Sequence, residues 1–197
     1  MTTWKTITIG NKSAEQYRRE IKASGAEIGS YANELLSKMP VSDKVQSLNL
    51  VKISVKDLGF TETTSLKDIY KRAKEQGLDL CPAEVGPALR LAYLDQPEGE
   101  YLWIGMEPIA GSDGDLSVFC VGRDGGGRWL GDSIGNPGDL WDPEGEFVFR
   151  KSDSREPGSS DTRALGDLDT LDPMERIAIA LERLADKFAP KKGKELK

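Results

Sequence analysis

Tyr101-Leu-Trp-Ile-Gly-Met106, Leu116-Ser-Val-Phe-Cys-Val121, Arg128-Trp-Leu130 and Phe147-Val-Phe149 are four short runs rich in aromatic and β-branched residues. Asp113-Gly114 and Asp124-Gly-Gly-Gly127 stand between the first three. Side chains alternate faces along a strand, and Asp-Gly pairs form tight turns, so this spacing predicts an antiparallel meander made by the first three runs, with Phe147–Phe149 as a further strand. The glycines, prolines and carboxylates of residues 131–146 predict a long loop between the third run and the fourth, a length that often carries function.

Upstream of the meander the pattern mixes strands with helices. Trp4-Lys-Thr-Ile-Thr-Ile9 alternates and stops at Gly10-Asn11. Ser13-Ala-Glu-Gln16 is a capping box, in which the Ser hydroxyl and the Gln side chain each satisfy a free backbone N–H, so a helix is predicted from Ala14 to Ser24. A second helix runs from Ser30 to Lys38, with Tyr31, Leu35 and Met39 on one side, and Pro40 ends it. Leu48–Val55 reads as a strand, and Leu66–Gln76 as a helix capped by Ser65 and closed by Gly77. Lys67, Lys71 and Lys74 form a stripe on that helix, the usual solvated back of an amphipathic segment. Pro82 suits a first helical turn, and Pro87 restricts or kinks a helix begun there, so a short turn and then a helix through Tyr93 are expected. The fold class is therefore α+β, an N-terminal strand and helix segment followed by an antiparallel sheet, over residues 1–150.

Beyond residue 150 the chain changes character. Residues 151–170 are Ser, Asp, Gly, Arg and Pro with little to bury, and predict a flexible linker. Asp172-Pro173 then opens a helix over 171–189, in which Met174, Ile177, Leu181, Leu184 and Phe188 recur at alternating spacings of three and four. That seam predicts self-association into a homo-oligomer, with docking on the chain's own domain as the competing arrangement, because a helix of two heptads is marginal alone. Residues 190–197 are a basic tail.

The 197 residues include no histidine and two cysteines. Ser-His-Asp and Cys-His triads and His-containing zinc sites are thereby excluded, and two cysteines cannot make a four-cysteine zinc site. No cofactor and no metal site is expected. The N-terminus lacks a basic region leading into an apolar stretch, no run approaches membrane-spanning length, and the cysteine spacing gives no disulfide framework, so a cytoplasmic protein without membrane contact is expected.

The net charge of −6 is unevenly spread, at +3 over residues 1–92, −9 over 93–150 and zero over 151–197. The acidic middle disfavours phosphate backbones and favours a protein partner or cationic ligand, although a solvated acidic surface is the plainer reading. Eight of the fourteen aromatics share that segment, and aromatic faces beside carboxylates suit cations or serve as interface anchors. Trp103, Phe119, Phe147 and Phe149 are assigned to packing. Trp129 and Trp141, with Asp132, Asp139 and Asp142, are the candidate binding residues. The leading expectation is a non-enzymatic binding module. A carboxylate enzyme using Glu107 with Asp132 or Asp142, and a divalent metal, is the alternative, and nucleic-acid binding by Lys67, Lys71, Lys74, Arg18 and Arg19 comes third. Cys81 beside Pro82 would gain nucleophilicity at a helix N-terminus, against the reading of an ordinary buried cysteine.

Gly77-Leu-Asp-Leu-Cys-Pro-Ala-Glu-Val-Gly-Pro-Ala-Leu-Arg90, with Trp103-Ile-Gly-Met-Glu-Pro108 and Val118-Phe119, resembles a family of small uncharacterised bacterial proteins. The resemblance covers the segment that precedes the linker, implies a self-contained domain there, and carries over no catalytic residue. An acidic segment after a Pro-started helix is also similar, in charge and element order, to SUKH-type immunity proteins, which neutralise toxins by binding.

Overall fold

The computed structural model describes residues 1–152, which form one compact α+β unit. Of the linker expected over 151–170, residues 153–170 lie outside the described residues, as do the helix expected over 171–189 with Met174, Ile177, Leu181, Leu184 and Phe188, and the tail at 190–197. In chain order the elements are β1 (Lys5–Ile9), α1 (Ala14–Ala23), β2 (Glu27–Ile28), α2 (Ser30–Lys38), β3 (Gln46–Ser54), β4 (Thr64–Ser65), α3 (Leu66–Glu75), β5 (Leu78–Asp79) and α4 (Val85–Ala92). They continue with β6 (Tyr101–Ile104), β7 (Ile109–Ala110), β8 (Leu116–Asp124), β9 (Gly127–Ile134), β10 (Leu140–Trp141) and β11 (Glu146–Lys151).

The predicted meander is present, since β6 pairs antiparallel with β8, and β8 with β9 from Ser117↔Ile134 to Asp124↔Gly127. The complete sheet order is β1-β3-β11-β6-β8-β9-β2, with β5 beside β11 and β7 beside β8. β11 therefore inserts between the N-terminal strands and the meander, antiparallel to β3 and parallel to β6. The loop expected over 131–146 is shorter than the composition implied. β9 continues to Ile134, and Leu140-Trp141 pairs with Thr64-Ser65 in a two-stranded ribbon. Lys151 belongs to β11, and the Ser152 N–H donates to Gly77 O at 3.1 Å, so the first two residues of the expected linker are joined to the sheet unit.

Local chemistry explains the helices. In α1 the Gln16 N–H donates to Ser13 Oγ at 3.2 Å and the Ser13 N–H to Gln16 Oε1 at 2.7 Å, completing the capping box. At the start of α3, Ser65 Oγ accepts from the Asp68 N–H, while Leu66 and Lys67 donate to the carbonyls of Asp139 and Pro137. The 135–140 segment thus satisfies N–H groups that a helix leaves free, and ties itself to α3. α2 buries Ala32, Leu35 and Leu36 and leaves Tyr31 57% exposed, so Tyr31 does not share the buried side with Leu35 and Met39.

Two cores lie on opposite faces of the sheet. α1, α2 and α4 cover one face over Ile7, Leu50, Leu102, Phe119, Val121, Leu130 and Val148. α4 packs especially close, because a Cβ on Gly86 would stand 2.7 Å from the Phe119 side chain. On the other face α3 covers Val51, Ile53, Phe147 and Phe149, contributing Leu66, Ile69 and Ala73. No helix among the described residues is long and apolar enough to cross a membrane.

Candidate functional site

Period-two alternation decides what the second face carries beyond α3. In β6, Leu102 and Ile104 point into the helix-covered core, so Tyr101 and Trp103 point the other way. In β9, Leu130 points into that core and Trp129 away from it. The rings join into a continuous row. Trp129 lies 5.0 Å from Tyr101 by centroids, Tyr101 4.7 Å from Trp103, and Trp103 5.7 Å from Phe147 and 4.9 Å from Trp141. Phe147 continues to Phe149 at 5.9 Å, and Phe149 to Tyr70 of α3 at 5.9 Å. Phe147 and Phe149 are buried, whereas Trp129, Tyr101 and Trp103, and Tyr70 at the far end, are half-buried.

The sheet is shaped to seat Trp129. A Cβ on Gly122, its cross-strand partner, would stand 2.1 Å from the indole, so only glycine lets the ring lie against the strand. The indole N–H donates to Asp124 Oδ2 at 3.0 Å, and Asp124 Oδ1 accepts from the Gly126 N–H at 2.8 Å. One carboxylate thus fixes both the hairpin tip and the ring. Tyr101 Oη stands 2.8 Å from Cys120 Sγ beneath the row, and burial pushes the Cys120 thiol up to about 12.

At the other end of the half-buried strip is a cavity of about 280 Å³, lined by Trp103, Ser133, Ile134, Asp139, Leu140, Trp141 and Asp142. Trp103 and Trp141 stand nearly perpendicular, at 84°, and give it an aromatic corner. Among the described residues, Asp139 and Asp142 are its charged groups, and no lysine or arginine lines it. Leu140 and Ile134 are exposed at 71% and 57%, unusually open for large aliphatic side chains.

The five candidate binding residues are only partly brought together. Trp141 is 7% exposed and packs between Trp103 and Phe147, so it is a wall and not the exposed ring expected from its place in a loop. The pairing of Leu140-Trp141 with β4 folds it inward. Trp103, assigned to packing, is instead half-buried and lines the cavity. Asp142 is exposed at the cavity. Asp139 also lines it, but its Oδ2 accepts from the Asn136 N–H at 2.7 Å and closes a turn. Asp132 pairs with Phe119 and shares the helix-covered face, so it stands apart from Trp129 and Trp141. The place of Tyr101 and Trp103 in the row follows from their spacing of two, a signal the reading of Trp129 and Trp141 passed over.

The other constellations disperse. Glu107 lines cavities beside Tyr70, Asp142 lines the Trp103 cavity, and Asp132 lies on the opposite face, so these carboxylates do not converge among the described residues. Among the described residues there is no group of three or more Cys, Asp or Glu able to hold a metal ion. Arg18, on α1, is engaged with Asn33 and Glu15, on the sheet face opposite the lysines of α3. Cys81 is buried, its Sγ donates to Val148 O at 3.6 Å, and burial raises its pKa, the reverse of activation.

Sequence reasoning passed over the most buried charge. Arg90 of α4 has no exposed surface and forms no ion pair among the described residues. Its guanidinium donates to Gln96 Oε1 at 2.6 Å, to the carbonyls of Gly122 at 3.1 Å and Trp129 at 3.4 Å, and to Tyr93 O. Burial, then Arg128, lowers its pKa to about 10, which leaves it charged at neutral pH. Arg90 thus clips α4 to the carbonyls of Gly122 and Trp129, the two residues that seat the aromatic row.

Comparison with known proteins finds no matching family model, no matching curated protein and no matching solved structure.

Proposed function

We propose that the chain is a non-enzymatic binding module that takes a cationic segment of a protein partner on the strip formed by Trp129, Tyr101, Trp103 and the Trp141 corner. The observation that carries this reading is the continuity of a half-buried aromatic row with a cavity whose charged groups are both carboxylates. A guanidinium or ammonium over an indole face is attracted by the ring quadrupole, and a nearby carboxylate adds Coulomb attraction. The net charge of −9 over residues 93–150 favours approach of such a partner. The dispersal of Glu107, Asp132 and Asp142 leaves the carboxylate-enzyme alternative without a shared site.

The experiment is a tryptophan-fluorescence titration of the full chain with a Lys- and Arg-rich peptide, repeated with a Glu-rich peptide of equal length. Saturable binding of the basic peptide alone, weakened by salt, is expected. The Trp129→Ala/Asp142→Asn variant should bind about tenfold more weakly, the loss of one exposed cation–π contact and one charge. Equal affinity of wild type and variant would remove this surface from the reading.

A further inference from the structure

A second cavity, of about 440 Å³, opens beside α3 and has the opposite electrostatic character. Lys71 and Lys74, three residues apart on α3, line it together with Arg150 of β11. Arg150 is already committed, since its Nε donates to Leu80 O at 3.0 Å and its Nη2 lies 3.3 Å from Asp79 Oδ2. With Arg150 and Asp79 cancelling, two ammonium groups stand against the carboxylate of Glu107. Neither lysine forms an ion pair with another described residue. Tyr70 and Phe149, in edge-to-face contact, supply aromatic lining, with Leu80 beside them. The Tyr70 hydroxyl donates to Met106 O at 2.9 Å, so its ring is held in place and its proton is spent. Lys67 continues the positive edge along an adjoining cavity of about 190 Å³ that shares Tyr70 and Glu107.

We propose that this cavity binds a small, flat organic anion, a ring-bearing carboxylate or phosphate monoester, whose oxyanion meets Lys71 and Lys74 and whose ring lies against Tyr70, backed by the buried Phe149, and Leu80. The volume falls within the usual span for small-molecule sites, and the lining divides about evenly between apolar side chains and charged groups, a more polar construction that suits a charged ligand. Glu107 and Asp79 in the lining oppose a molecule that is anionic along its whole length, so an extended nucleic-acid backbone fits worse than a single oxyanion. The lysine stripe then has a use beyond solvating the back of α3. This site shares no lining residue with the aromatic cavity, and either can fail without the other.

The test is an amide-shift NMR titration of the full chain with indole-3-acetate, adenosine monophosphate and inorganic phosphate. At least one ring-bearing anion should give saturable shifts at Lys71, Lys74, Tyr70 and Phe149, and the one that binds identifies the oxyanion as carboxylate or phosphate. Lys71→Glu/Lys74→Glu should weaken it about tenfold or more, the loss of two charge contacts, with unchanged unfolding temperature because both lysines are exposed. Lys71→Arg/Lys74→Arg should keep binding, and Trp129→Ala should leave it unaltered. Absence of saturation by either ring-bearing anion, equal shifts from inorganic phosphate alone, or wild-type affinity in the charge-reversed variant would each overturn the proposal.

Discussion

On one face of the sheet three helices close over the strands, and a fully buried charge there, Arg90, is held by four oxygen acceptors. On the other face, among the described residues, a single helix, α3, covers β3 and β11, and the strands of the meander carry half-buried aromatics. The same backbone therefore supports two kinds of surface. The helix-covered face removes apolar area from water and supplies stability, whereas the meander end of the other face keeps large rings within reach of solvent, where their burial is incomplete. A residue's contribution should follow its face.

The largest expected effect lies in the covered face. Arg90→Met keeps length and apolar stem but removes the donor that the carbonyls of Tyr93, Gly122 and Trp129 and the Gln96 amide oxygen share. Breaking one side of a buried polar cluster costs about 3–5 kcal/mol, so urea unfolding should show a loss of that order. A loss no larger than that caused by trimming Trp129 would break the comparison. The next effect is on the open face. Gly122→Ala places a methyl in the Trp129 ring, and overpacking of this kind costs about 1–3 kcal/mol. Because the ring must leave its seat beside Asp124, the tryptophan emission should shift and basic-peptide binding weaken even where the variant folds.

The range of each interaction decides how much of the fold and of the strip was legible beforehand. The capping box of α1, the Ser65 cap of α3 and the meander are local, written within a few residues, and the sequence pattern locates them. The insertion of β11 between β3 and β6 pairs residues about a hundred positions apart from Gln46–Ser54, and no local pattern encodes that choice of neighbour. The fate of Trp141 turned on a two-residue ribbon with Thr64-Ser65, too short for periodicity to reveal. Arg90 falls inside the helix expected through Tyr93, and its partners on β8 and β9, lying 32 and 39 residues away, are brought to it only by the tertiary fold. Alternation could have separated Asp132 from Trp129, since residues three apart in one strand face opposite ways.

That separation of Asp132 supports the smallest and most specific expectation. Its carboxyl is half-buried on the helix-covered face, and its pKa is raised, chiefly by burial and further by the charge of Asp113. In acid, below the ordinary aspartate range, both folded and unfolded chains hold the proton and the site is neutral in its effect. As pH rises through that range the unfolded carboxyl ionises first, so the unfolded chain is favoured, and the penalty is complete once pH passes the raised folded value. Asp132→Asn removes the penalty while keeping an acceptor oxygen. The variant should unfold at a slightly higher temperature than wild type at neutral pH, with the difference shrinking to nothing in acid. A ring-facing carboxylate that served the cationic partner would behave otherwise, losing basic-peptide affinity in the Asn variant. Unchanged affinity with the pH-dependent gain in stability is the result that keeps Asp132 with the covered face, and leaves Asp142 as the exposed carboxylate of the cavity.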